Sequence, residues 1–515
     1  MQRITKYTFA LLLGASVGLA SCDKGFEEMN TNPNASTKPN VDYLFSQSIL
    51  QGNYVYDRVY FYTSYLTCGA FVQHFAFGKE VTLAGSGDKY GQVDSYQGQY
   101  FRFAYTNVLT TLGELIRTAD ANPDLVNKSA SARIWRVLIQ QRITDLYGDV
   151  PYSEAGKAAT DRVYQPKYDA QSAVYDGMLR ELESAIGAFN DGKVKFGAAD
   201  FVYKGDVAKW KKLGYSLMLR MAMRMTKVAP DKAREWAQKA IAGGIIMQEG
   251  DQAVVLYGSG SQNYNVNPVV FEIVGQDIKP SSKGADNTEN GKFSKTFIDF
   301  LKAKNDPRLP VISVVWKDGK PDTSAAIQRG MPNGTEGRPD DFVTYSEPNP
   351  ATVLQNSAPL IVVSAAEMRF LLTEAILRTW ATGNAAQTYK EGIEIAMRNW
   401  ALFGEGGRIA PDKINAYTTA NALNMASPFN DQMNQVHSQF WIASLFDEQE
   451  AYANWRRTGF PVLVPVNAKD NMTNGTIPRR LPYSRTEQGS NRSNYDAALA
   501  RQGADLLTTR IWWDK

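Results

Sequence analysis

The chain has 515 residues, 43% of them hydrophobic and 21% charged, and its 56 basic and 53 acidic side chains leave a net charge of +3. So small an excess gives no electrostatic footprint for nucleic acid, and the length is ample for a large core. Two cysteines and two histidines exclude a disulfide framework and a cysteine metal site, and argue against zinc hydrolases and Ser-His-Asp enzymes.

The first element is a secretory signal. Arg3 and Lys6 precede the uninterrupted apolar run "FALLLGASVGLA" at 9–20, which is too short to cross a bilayer. Leu19-Ala20-Ser21-Cys22 has the form of a bacterial lipobox, in which the Cys22 sulfur takes a diacylglycerol and becomes the mature N-terminus. Each buried CH₂ of such an anchor contributes about 0.8 kcal/mol, and two or three chains hold a protein on a membrane. Residues 1–21 are therefore expected to be removed, and the polar stretch at 22–40 to serve as a lipidated tether. Residues 41–515 contain no linker and read as one domain.

Helical periodicity dominates that domain. Val207, Trp210, Gly214, Leu217, Met221 and Met225 recur at steps of three and four, one apolar stripe over 205–225. Further helices are expected at 102–120, 130–147, 169–190, 230–243, 292–304, 364–381, 383–400 and 431–457. Several adjacent pairs are joined by short turns, which suggests antiparallel, tetratricopeptide-like packing. The fold class is mainly α, with long irregular stretches at 78–100, 244–291, 311–358 and 459–495 and short strands near 248–258.

Catalytic motifs fail on inspection. "GASVG" fits G-x-S-x-G but lies in the signal, and "GSGDKYG" at 85–91 is one residue too long for a dinucleotide fingerprint. "DNTENG" at 286–291 starts like a calcium loop, but Phe297 stands where a bidentate Glu is needed. No cofactor is implied, although Asp/Asn-rich loops leave room for a single structural calcium ion. His74, among apolar residues, is expected in the core, and His437 on a helix surface. Gly148 and Pro151 read as a helix stop, and Asp306-Pro307-Arg308 as a turn with an inward Arg. Arg456, Arg457, Arg479 and Arg480 are expected to brace helices and carbonyls. Glu367 and Glu374, seven apart on one helix, would pair with arginines or form an acid/base pair.

Several segments resemble the SusD/RagB family of outer-membrane nutrient-binding lipoproteins. They are "ITDLYGDVPYSEA" (143–155), "PKYDAQSAVYDGMLRELESA" (166–185), "YKGDVAKWKKLGYSLMLRMAMR" (203–224), "NDPRLP" (305–310), "AAEMRFLLTEAILRTW" (365–380), "EQEAYANWRRTGFPVL" (448–463) and "IPRRLPYSRTE" (477–487). The resemblance implies a SusD-like helical body with tetratricopeptide-like pairs at the outer membrane of Bacteroidetes. It implies capture of oligosaccharides, or in some members peptides, for a SusC-like TonB-dependent transporter, without catalysis. The competing readings are a surface-anchored glycan hydrolase using a carboxylate pair and a purely structural lid. The loops match no family motif, so the ligand site rests on chemistry alone. Sugars stack C–H faces on aromatic rings, so exposed rings beside amides are the candidates: Tyr90, Tyr96, Tyr264 with Asn263 and Asn265, and Trp316.

Overall fold

A computed structural model describes residues 39–53, 58–78, 87–260, 265–278 and 291–515, apart from 318 and 470. The signal, Cys22, all but the last two residues of the tether, Asn263, Tyr264 and most of the "DNTENG" stretch lie outside the described residues. Val41–Lys515 form one compact unit.

Its long helices among the described residues are, in order, α1 (Val41–Gly52), α2 (Leu109–Asp120), α3 (Val126–Tyr147), α4 (Gln171–Ala188), α5 (Val207–Arg224), α6 (Pro230–Gly243), α7 (Pro268–Gln276), α8 (Lys295–Ala303), α9 (Ala365–Leu377), α10 (Ala385–Arg398), α11 (Pro411–Ala420), α12 (Phe429–Ala443), α13 (Glu448–Thr458) and α14 (Arg492–Gln502). The α5/α6 and α9/α10 neighbours pack as pairs joined by short connections, and α3 and α4 pack together across the longer connection 148–170. All six stripe residues of 205–225 are buried. Asp206 caps α5, its carboxylate accepting from Lys209 N at 3.1 Å. At the end of α3, Gly148 has φ +86°, which only glycine adopts cheaply, and the Gln502 side chain occupies the space a Cβ would need.

Four small antiparallel sheets lie between helices: β1 (Phe75–Phe77) with β5 (Gly291–Phe293), β2 (Val150–Pro151) with β3 (Tyr168–Asp169), β4 (Ala253–Val255) with β9 (Leu360–Val363), and β6 (Ser313–Lys317) between β7 (Lys320–Asp322) and β8 (Glu347–Pro348).

One expectation is corrected, and one element was not anticipated. The segment 431–457 is not one helix: it breaks between α12 and α13, where Phe446 takes φ 72° and its N–H donates to the Glu448 side chain at 2.8 Å. The aromatic stretch "YFYTSYLTC" is a nine-residue π-helix, Tyr60–Cys68, which no apolar period announces.

Candidate functional site

Buried ion pairs join the helices, and several of their partners lie in the segments that resemble the family. Arg220 on α5 grips Glu367 on α9 through two hydrogen bonds of 2.6 and 2.7 Å. One turn on, Arg224 pairs with Glu450, and it lies 3.4 Å from Asp145 at the end of α3. Arg457 holds Glu374 in a fork of 2.8 and 2.7 Å. Burial alone would raise the Glu374 carboxyl, but Arg457 and His437 more than reverse this and hold it well below the usual range. Arg456 donates to the carbonyls of Asp145 and Arg479, while Arg479 pairs with Asp514 and Arg480 with Asp505. Arg308 turns inward onto Asp306 at 2.9 Å. Glu367 and Glu374 are therefore arginine partners.

His437 is corrected from surface to core. It is fully buried, with Nε2 3.0 Å from Glu374 and Nδ1 3.1 Å from the Asn454 amide. His74 is buried as expected, with its ring nitrogen 3.1 Å from the Trp441 carbonyl.

The loop half is built on aromatic rings. The π-helix carries Tyr62, whose ring stacks on Tyr96 with centroids 4.4 Å apart and planes 7° apart. Both rings are half-buried, so each keeps an outer edge or face toward solvent. The Arg58 guanidinium, exposed, donates to the Tyr62 hydroxyl at 3.4 Å. Thr63 donates to the Tyr96 carbonyl at 3.0 Å, and Glu272 on α7 accepts from the Phe61 N–H at 2.8 Å. Phe271, beside Glu272, is 43% exposed. The result is a stacked ring pair flanked by a cation, in which each ring covers one face of the other and leaves only an outer face or edge for contact.

The other candidates separate. Tyr90 is corrected from loop platform to core: it is 1% exposed, edge-on to Phe71, and its hydroxyl accepts from Val466 N at 3.1 Å. Burial pushes that hydroxyl up to about 12. Asn265 is exposed at the rim of a cavity of about 330 Å³ between Phe201, Leu256 and Tyr257. Trp316 lies on β6, half-buried, its indole N–H spent on buried Glu347, which Lys292 also engages. Sequence reasoning missed Tyr62 altogether. The signal was present in the density of rings over 60–65, but only the fold brings Tyr62 onto Tyr96.

A larger groove of about 700 Å³ runs beside the "NDPRLP" turn, but its one aromatic, Tyr417, is buried. Among the described residues no three or more acids, histidines or cysteines gather to hold a metal ion, and no helix is long and apolar enough to cross a membrane.

Fold and site together define a mainly helical body, held by buried ion pairs, with a half-buried aromatic pair between the π-helix and the short helix Asp94–Gln97. The family model SusD-like_2, described as "Starch-binding associating with outer membrane", matches residues 33–484. The chain belongs to this SusD-like family. A solved chitin-binding protein is 30% identical with TM-score 0.79, covering 92% of this chain and 100% of its own. A Bacteroidetes SusD-like protein, AC2a, is 24% identical with TM-score 0.80 over 93% of this chain and 100% of its own. A chitin-binding SusD homologue from Flavobacterium johnsoniae is 23% identical with TM-score 0.78, over 92% of this chain and 98% of its own. No curated protein matches the chain.

Proposed function

We propose that this chain captures oligosaccharides at the cell surface, held by lipid on Cys22, and passes them to a SusC-like TonB-dependent transporter. It acts by binding, without catalysis. The observation that carries the reading is the half-exposed Tyr62–Tyr96 stack beside Arg58, on a chain whose family is described as starch-binding and outer-membrane associated. The enzyme reading loses support because Glu367 and Glu374 are engaged by arginines.

Two solved relatives are described as chitin-binding, so chitohexaose is the first probe and maltoheptaose the second. Calorimetric titration of the soluble body should give saturable heat with at least one of them. Release of reducing ends from either sugar by the pure protein would overturn the binding reading. For the anchor, Cys22→Ala is expected to abolish labelling by radioactive palmitate and to release the protein from outer membranes. Full retention with label would remove Cys22 from the account.

A further inference from the structure

The backbone carbonyls of the two stacked tyrosines are each held by a threonine hydroxyl of the π-helix. Thr67 Oγ1 donates to the Tyr62 carbonyl at 2.8 Å, and Thr63 Oγ1 donates to the Tyr96 carbonyl at 3.0 Å. Both threonines are buried.

The first bond depends on the shape of the helix. A threonine in an α-helix turns its hydroxyl to the carbonyl three or four residues back, as Thr373 does to Arg369 at 2.8 Å within α9. Thr67 reaches five back. The carbonyl five residues earlier is the backbone acceptor of a π-turn and not of an α-turn, so this hydroxyl bonds the acceptor that defines the wider turn. The same contact recurs beside the π segment Ala104–Val108, where Thr110 donates to the Tyr105 carbonyl at 2.9 Å.

The second bond leaves the helix. Tyr96 lies on the short helix Asp94–Gln97, and Thr63 ties its backbone to the residue that follows Tyr62. Branching at Cβ restricts χ1, so each hydroxyl is fixed against its own backbone. The two rings lie face to face with planes 7° apart. Relaxing the π-turn to an α-turn would turn Tyr62 about the helix axis and carry its ring off Tyr96.

We infer that Thr63 and Thr67 are positioning residues for the proposed sugar platform: Thr67 fixes the wide turn that aims Tyr62, and Thr63 fixes Tyr96 against it. The inference rests on the Tyr62–Tyr96 reading for its effect on sugar, but not for its effect on the rings.

Thr63→Val and Thr67→Val keep the branching and lose the hydroxyl, whereas Thr63→Ser and Thr67→Ser keep the hydroxyl. Calorimetric titration with chitohexaose and maltoheptaose, well below the melting temperature, should show each Val variant binding about three- to tenfold more weakly than the wild type, the most that one lost hydrogen bond transmits. Each Ser variant should bind as the wild type does. Thr67→Val added to Tyr62→Ala should weaken binding no further, because the ring it aims is gone. Thr110→Val removes the corresponding bond from the other π segment and should leave affinity unchanged. The difference in near-ultraviolet circular dichroism between the wild type and Tyr62→Ala isolates the signal of the stacked pair, and each Val variant should lose part of it. Ser variants as weak as the Val variants, or an equal loss in Thr110→Val, would overturn the positioning role. So would wild-type affinity and an intact signal in the Val variants while Tyr62→Ala binds weakly, and that result would leave the platform standing. Wild-type affinity in Tyr62→Ala would remove the platform, and the dichroism alone would then decide whether the threonines hold the rings.

Discussion

Glu374 and Glu448 are both buried without exposed surface, yet they are held in opposite ways. Glu374 sits between Arg457 and His437 in the helical half. Glu448 sits between a tyrosine hydroxyl and one backbone N–H at the edge of the loop half. The first arrangement fixes charge and geometry together, so the helices it joins keep one register across pH. The second holds its carboxyl through hydrogen bonds accepted from Tyr60 and Phe446. One fold thus combines a frame of ion-paired contacts between helices with a buried carboxyl held by hydrogen bonds.

Breaking the frame should cost most. Arg457→Ala leaves Glu374 buried without its fork, and loss of one partner of a buried pair typically costs about 3–5 kcal/mol. Chemical denaturation should show a loss of this size, and a change below about 1 kcal/mol would erase the distinction between the two carboxylates. Tyr90 and Tyr96, six residues apart, test the boundary between frame and face. Tyr90→Ala empties a core position and should cost about 3 kcal/mol. Tyr96→Ala removes a half-exposed ring and should leave the melting temperature nearly unchanged. Equal losses would place both tyrosines in one region. Glu448→Gln should act in the opposite direction. Because its folded-state value lies near 7 and its unfolded value near 4.5, the native acid forfeits stability as pH rises through that window. At pH 8 the variant should be more stable than the wild type by about 3 kcal/mol, and the two should converge near pH 4.5. A wild type at least as stable at pH 8 would contradict the contrast.

The frame was legible in the sequence because helices impose a period. The stripe from Val207 to Met225 and the seven-residue step from Glu367 to Glu374 put residues on common faces before any partner is known. The π-helix was not legible, since "YFYTSYLTC" mixes rings and hydroxyls with no 3.6-residue apolar alternation, whereas α1 carried a helical step at Val41, Phe45 and Ile49 that went unread. His437 misled for a related reason. Its neighbours Asn434, Gln435 and Ser438 are polar, and its burial follows from Glu374 and Asn454 on other helices. In the loops, sequence marks rings but not their exposure. Tyr90 and Tyr96 stand in equally polar surroundings, and only the chain running past Val466 buries the first.

The central claim is that the Tyr62–Tyr96 stack is the surface on which sugar binds. The most direct measurement is calorimetric titration of chitohexaose and maltoheptaose into the wild type, Tyr62→Ala and Tyr96→Ala at pH 6. Stacking of a ring on an aromatic side chain contributes about 1–3 kcal/mol in nucleic-acid systems. Each substitution should therefore weaken binding by about tenfold or more while the melting temperature stays nearly unchanged. Wild-type affinity in both variants would place the site elsewhere on the molecule.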